Sequence, residues 1–185
     1  NGYPLGVTIN SIKYLRLRNF ITYEDQLINF EELFKEEDIL FIYGRNIDDG
    51  SFANDNGAGK SILYESLIWL LFGRTTRDSN KDSLVGKFRK SMSVEGEFVD
   101  DNENIFWVKR YRKDKNFGSC LRLKINDKSQ RKITQTELTN LMLAALGISY
   151  REILNTSIFE SNDQRSRFIY LSDKESKDLL SQIKG

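Results

Sequence analysis

The sequence predicts an α/β fold, a mixed sheet packed on one buried helix and continued by an antiparallel β meander. Three observations predict it. The run Ile39-Leu40-Phe41-Ile42-Tyr43 is apolar at every position, as a parallel strand covered on both faces must be. Ser61 to Phe72 is apolar over most of a helical circumference, which suits a helix buried against that sheet. Residues 91–127 alternate apolar and polar side chains between turn-forming clusters, the pattern of a meander with one wet face.

Taken in order, Val7 to Phe30 alternates through Ile12-Lys13-Tyr14-Leu15-Arg16-Leu17-Arg18 and again through Gln26-Leu27-Ile28-Asn29-Phe30, predicting two strands with charges on one face. The buried strand 39–43 ends at Gly44, and a polar loop leads to the helix from Ser61. Gly73 stops that helix. The meander has strands at 93–99, 105–111 and 120–125, with turns at Asp100-Asp101-Asn102 and Asn116-Phe117-Gly118. A helix over 136–146 is capped by Thr134 or Thr136 and closed by Gly147. Further helices begin near Ser149 and Asp173. No linker or repeat divides the chain, so residues 1–185 are expected to form a single domain.

Composition narrows the chemistry. With 28 Lys+Arg against 27 Asp+Glu the formal charge is +1, so any polyanion must be held by a local arrangement. One cysteine and no histidine exclude a disulfide framework, a Cys/His zinc site and a Ser-His-Asp triad. The longest apolar stretches, 67–72 and 141–146, fall far short of the ~20 residues a membrane span needs. No secretory signal is visible, which implies a cytoplasmic protein without membrane attachment.

The informative segment is Asn54-Asp55-Asn56-Gly57-Ala58-Gly59-Lys60-Ser61, between a buried strand and a buried helix. That is the setting of a phosphate-binding loop. Glycines let backbone N–H groups converge on phosphate oxygens, and the helix start adds its partial positive charge. Asn56, Gly57, Ala58, Gly59, Lys60, Ser61 and Ile62 are therefore the candidate nucleotide-binding residues. Lys60 would reach the β- and γ-phosphates, and the Ser61 hydroxyl would ligate Mg2+. Asn54 stands where the consensus has glycine, and asparagine tolerates the left-handed backbone that glycine supplies there. The competing reading is an ordinary turn and helix start with an exposed lysine.

The combination Ile12-x-x-Leu15-x-Leu17-x-Asn19-Phe20-x-Thr22-Tyr23, a buried strand, Asn56-Gly57-Ala58-Gly59-Lys60-Ser61 and Glu65-Ser66-Leu67-Ile68-Trp69-Leu70-Leu71-Phe72-Gly73 resembles the N-terminal lobe of the SbcC-type ATPases. These are SMC-like relatives of the ABC ATPases in DNA double-strand-break repair, and the phage recombination-endonuclease large subunit belongs among them. The resemblance implies a P-loop NTPase fold of the ABC head type, with ATP and Mg2+ as cofactors. It implies as partners the C-terminal lobe of the same protein, an SbcD-type nuclease subunit and double-stranded DNA ends, with a homodimer formed through ATP. It places a metal- and γ-phosphate-sensing glutamine at Gln164, with Asn162 as the alternative, and the adenine side near Ser83-Leu84-Val85. Lys60 and Gln164 are then the catalytic candidates, and Ser61 and Gln164 the metal ligands.

Three departures qualify the resemblance. Residues 47–56 are inserted between strand and loop, either as a lip over the nucleotide, a DNA contact or an inert excursion. Ile21 stands where the family often has an arginine on the nucleotide. Neither an acidic Walker B strand nor a Leu-Ser-x-Gly-Gly signature is present; in the family both lie in a C-terminal lobe beyond a coiled coil. Within that family the chain reads as a lobe that binds nucleotide and relies on other segments for hydrolysis.

Two clusters interleave cations with aromatics, Lys87-Phe88-Arg89-Lys90 and Lys109-Arg110-Tyr111-Arg112-Lys113. The second supplies the candidate nucleic-acid contacts Lys109, Arg110, Arg112 and Lys113; alternate charges on a strand also describe a plain solvated face. Two other functions stay open. One is a P-loop kinase or phosphotransferase, hinted at by Arg74-Thr75-Thr76-Arg77, and the other a nonenzymatic DNA-binding module.

Overall fold

The computed structural model describes residues 9–35, 60–76, 81–130 and 134–150. The chain divides into two compact units, Asn1–Gly147 and Ile148–Gly185. The sheet and its helices belong to the first. The expected strand 39–43, the insertion 47–56 and the helices expected beyond Tyr150 lie outside the described residues.

Six strands form one sheet: β1 (Ile9–Phe20), β2 (Tyr23–Asn29), β3 (Met92–Asp100), β4 (Ile105–Arg112), β5 (Leu121–Ile125) and β6 (Lys128–Ser129). Their order is β2-β1-β3-β4-β5-β6, and every pairing among them is antiparallel. Register explains the alternation seen in sequence. Leu15 sits opposite Gly96, Gly96 opposite Val108, and Val108 opposite Leu123, so one row of one face crosses four strands. Leu15, Leu17, Val94, Phe98, Phe106, Val108, Leu121, Leu123 and Ile125 are buried on this side. Each such side chain stabilises the fold by ~1.5–3 kcal/mol through removal from water.

Helix α2 (Lys60–Phe72) crosses the face over β1, β3 and β4, and α3 (Gln135–Leu146) lies against β5 and α2. Four consecutive residues, Ile68 to Leu71, are buried in α2, so its last turn is enclosed on all sides, as its uniformly apolar sequence requires. A Cβ on Gly96 would meet Leu70 Cδ2 at 3.1 Å; glycine there lets the helix come close to the sheet. The α3 ends are set locally. The Thr134 Oγ1 accepts from the Glu137 N–H (3.2 Å) while the Glu137 carboxylate accepts from the Thr134 N–H (2.8 Å), a complete capping box. Gly147 closes the helix at φ 61°, in the left-handed region. Thr134, not Thr136, is the cap.

Some pieces carry no strong sequence signal: α1 (Phe30–Leu33), a 3-10 turn over Lys81–Leu84, and the two-residue β6. The other face of the sheet is polar and organised around Glu95. Its carboxylate accepts from the Tyr14 hydroxyl (2.9 Å) and the Trp107 indole N–H (2.9 Å) and pairs with the Lys109 ammonium (2.8 Å).

Candidate phosphate-binding helix start and adjoining cleft

Helix α2 begins at Lys60, where the phosphate-loop motif ends. Asn56, Gly57, Ala58 and Gly59, the Lys60 side chain, and both glutamine-site candidates, Gln164 and Asn162, lie outside the described residues. Ser61 is exposed in the first turn and Ile62 is half-buried. No acidic residue occupies that first turn, so the helix itself brings no carboxylate to its positive end. An exposed hydroxyl in a first turn free of acidic residues fits a phosphate with its magnesium ion.

Beside it is a cleft of about 190 Å3 lined by Ile21, Ser61, Ile62, Glu65, Thr75, Ser83 and Leu84. The fold thus brings Ser61 and Ile62 together with Ser83-Leu84, which lie far apart in sequence. Backbone hydrogen bonds hold the walls: the Ile21 N–H donates to Leu84 O (2.8 Å), and the Gly86 N–H to Asn19 O (2.7 Å). Asn19 and Ile21 adopt left-handed φ angles of 51° and 52° to make this turn. Ile21 therefore presents an aliphatic side chain to the cleft. Val85 pairs with Phe20 and is half-buried, and the lining stops one residue before it, at Leu84. The opposite wall is tied back to α2, since the Glu65 carboxylate accepts from the Thr76 N–H (2.9 Å) and from its hydroxyl.

The four cations proposed from the sequence as one nucleic-acid surface do not form one. Strand parity divides them. Arg110 shares a face with Phe106 and Val108, and its guanidinium enters the core side to donate to Leu70 O (2.9 Å) and Leu71 O (3.2 Å) at the end of α2, 6.0 Å from the Trp69 ring. Burial pushes its pKa down to about 10. Arg110 is a helix clamp, and the reading of it as a DNA contact is corrected on that ground. Arg112 and Lys113 converge on Asp82: Arg112 Nε and Nη2 lie 2.9 and 2.7 Å from Oδ1, and Lys113 Nζ 2.7 Å from Oδ2. The hydrogen bond from Lys113, then that from Arg112, holds the Asp82 carboxyl below its usual range. This pair anchors the 3-10 turn that carries Ser83 and Leu84. Only Lys109 lies on the open face, engaged with Glu95. Burial raises the Glu95 carboxyl, but the hydrogen bonds from Lys109 and Trp107 outweigh it and leave the group below its ordinary range.

Sequence reasoning missed Ile21 as a wall, Glu65 and Thr75 as cleft residues, and Asp82 as the anchor. For Arg110 a signal existed. Counting by twos from Phe106 through Val108 places it inward.

The chain is 29% identical over 163 residues to the DNA double-strand break repair Rad50 ATPase of Sulfolobus acidocaldarius, covering 85% of this chain and 16% of that protein. It is 26% identical over 174 residues to the Rad50 ATPase of Methanocaldococcus jannaschii, covering 94% of this chain and 15% of that one. The chain thus spans about a sixth of the length of these relatives. Solved structures of the recombination mediator protein RecF with ATP and with ATPrS superpose at TM-scores of 0.43 and 0.48, with 18% and 19% identity, over 71% and 96% of this chain and 30% and 43% of theirs. The resemblance to the SbcC-type ATPases read from the motifs is borne out by the Rad50 relatives. The AAA domain family model matches residues 14–184, spanning the helix start, the cleft and the sheet, and the chain belongs to that family.

Proposed function

We propose that this chain is the ATP-binding lobe of a Rad50-like DNA-repair ATPase, with the triphosphate seated on the start of α2 and the cleft beside it receiving the rest of the nucleotide. The observation that carries the reading is the acid-free first turn of α2, with Ser61 exposed and opening onto a cleft shared with Ser83-Leu84. Backbone N–H groups and the helix dipole bind the phosphates, Lys60 neutralises them, and Ser61 supplies one oxygen to the magnesium ion. A magnesium ion held there by the Ser61 hydroxyl would offset the charge of the phosphates. The family resemblance assigns γ-phosphate sensing to Gln164, with Asn162 as the alternative, and the adenine side to the neighbourhood of Val85.

The Rad50 relatives are double-strand-break repair ATPases, and we extend to this chain the partners that class implies: a C-terminal lobe, an SbcD-type nuclease subunit and DNA ends. ATP acts as a clamp between two such heads, so that nucleotide state selects an engaged or an open arrangement by differential binding. No helix among the described residues is long and apolar enough to cross a membrane. A cytoplasmic site of action fits this role.

Binding of a fluorescent ATP analogue with and without magnesium tests the proposal, with Lys60→Ala and Ser61→Ala as variants. Magnesium-dependent binding that Lys60→Ala weakens at least tenfold is expected. Equal binding by native chain and Lys60→Ala overturns the nucleotide reading in favour of a nonenzymatic module.

A further inference from the structure

Phe88 is 94% exposed. It stands at the third position of a turn closed by the Arg89 N–H on Gly86 O (2.8 Å), with φ at 66°. That position of such a turn ordinarily takes glycine, because a bulky L-residue is strained there. The ring thus combines a strained backbone with almost no burial, and its recorded neighbour is the Lys87 ammonium, 5.3 Å from the ring centroid.

The base of the turn is fixed. The Gly86 N–H is bonded to Asn19 O, and a Cβ on Gly86 would lie 3.0 Å from Ile21 O, so the chain is pressed against the β1–β2 corner. On the far side the Asn19 side-chain amide donates to Ser91 O (3.1 Å). Lys87, Arg89 and Lys90 flank the ring and are all exposed; Arg89 pairs with Glu24, and among the described residues neither Lys87 nor Lys90 forms an ion pair. Three cations against one carboxylate leave the tip locally positive on a chain whose net charge is +1.

From this geometry we infer that the 86–90 turn is a nucleic-acid contact in which Phe88 stacks on an unpaired base and the flanking cations meet the adjoining phosphates. A flat apolar ring presented on a fixed, cationic turn matches a base next to a charged backbone. The four-residue turn carries a single ring, and a base inside a duplex has both its faces covered by neighbours, so the contact selects single strands or frayed ends. The site lies outside the nucleotide cleft and shares with the ATP-binding reading only the substrate class of the whole protein.

Anisotropy titrations of the full chain with a labelled single-stranded oligonucleotide and a blunt duplex of equal length, at one fixed salt concentration, test it. Phe88→Ala is expected to weaken single-strand binding about five- to 150-fold, the span of one base–aromatic stack, and duplex binding less than twofold. Phe88→Trp keeps the affinity and shows fluorescence quenched by unlabelled single strand, which Trp69 and Trp107 in Phe88→Ala do not. Phe88→Gly raises the melting temperature by relieving the backbone yet loses single-strand affinity as Phe88→Ala does. Single-strand affinity within twofold of native for Phe88→Ala, equal losses on both oligonucleotides, or a lower melting temperature for Phe88→Gly overturns the inference. ATP-analogue binding by the same preparations separates the two proposals: its absence refutes the nucleotide site and leaves the Phe88 contact standing.

Discussion

Gly73 and Gly118 form a matched pair that isolates what Arg110 contributes. Both adopt φ 67°, so replacing either with alanine incurs the left-handed penalty of about 1–2 kcal/mol. At Gly118 a Cβ meets nothing within 4 Å, and that penalty is the whole cost. At Gly73 the Cβ would lie 2.9 Å from Arg110 Nη1 and 3.2 Å from its Cζ. The guanidinium is pinned there by its bonds to Leu70 O and Leu71 O, each worth roughly 1.5–3 kcal/mol as a charged donor. Giving way forfeits part of that pair, so Gly73→Ala should cost about 3–4 kcal/mol in total. For a chain of this length 1 kcal/mol shifts the melting temperature by roughly 2–4 °C. Calorimetry should then show drops of roughly 2–8 °C for Gly118→Ala and roughly 6–16 °C for Gly73→Ala. In an Arg110→Met background the gap between the two glycine variants should close, because the clashing group is gone. Equal drops in the native background, or a gap that survives Arg110→Met, would refute the clamp.

Three other perturbations probe the site, a helix end and the polar face. Ser61→Ala should weaken ATP-analogue binding with magnesium while leaving magnesium-free binding nearly unchanged, as fluorescence titration will read. Thr134→Ala removes the α3 cap and should cost about 1 kcal/mol, or roughly 2–4 °C by calorimetry, with Thr134→Ser restoring most of it. Because the folded-state pKa of Glu95 is depressed, its contribution is present above the ordinary glutamate value and lost as pH falls through the lower folded value. Unfolding by urea across that acidic window should therefore show a loss of stability that Glu95→Gln, already lacking the charge, does not share.

Elements with local signals were legible in the sequence. Thr134, Glu137 and Gly147 mark both ends of α3 within single turns of backbone, and the meander announced its strands by alternation between turn residues. The neighbour relations were not. Nothing local says that β1 pairs with β3 across more than seventy residues, or that the Lys81–Leu84 turn is bolted to β4 through Asp82, because those are decided by which faces bury together. The cleft was half legible for the same reason. Ser61 followed from the motif, but Ile21 and Glu65 became wall residues only through the β1–β2 corner and the loop after α2. A run of cations in one dimension looked like one surface, and the pleat of β4 divided it between two faces.

The ends of the sheet set a limit on how this unit can join anything else. At one margin, β2 carries exposed Glu24, Asp25 and Gln26, and at the other β6 is two residues long. Charges along one border and brevity along the other discourage a foreign strand from adding itself there. Growth by edge addition, and the fibre-like association it invites, are disfavoured at both margins of the described sheet. Under the proposed function, assembly with a second head or with DNA would then fall to the loops and helix ends, where the candidate cleft and the Phe88 turn are found.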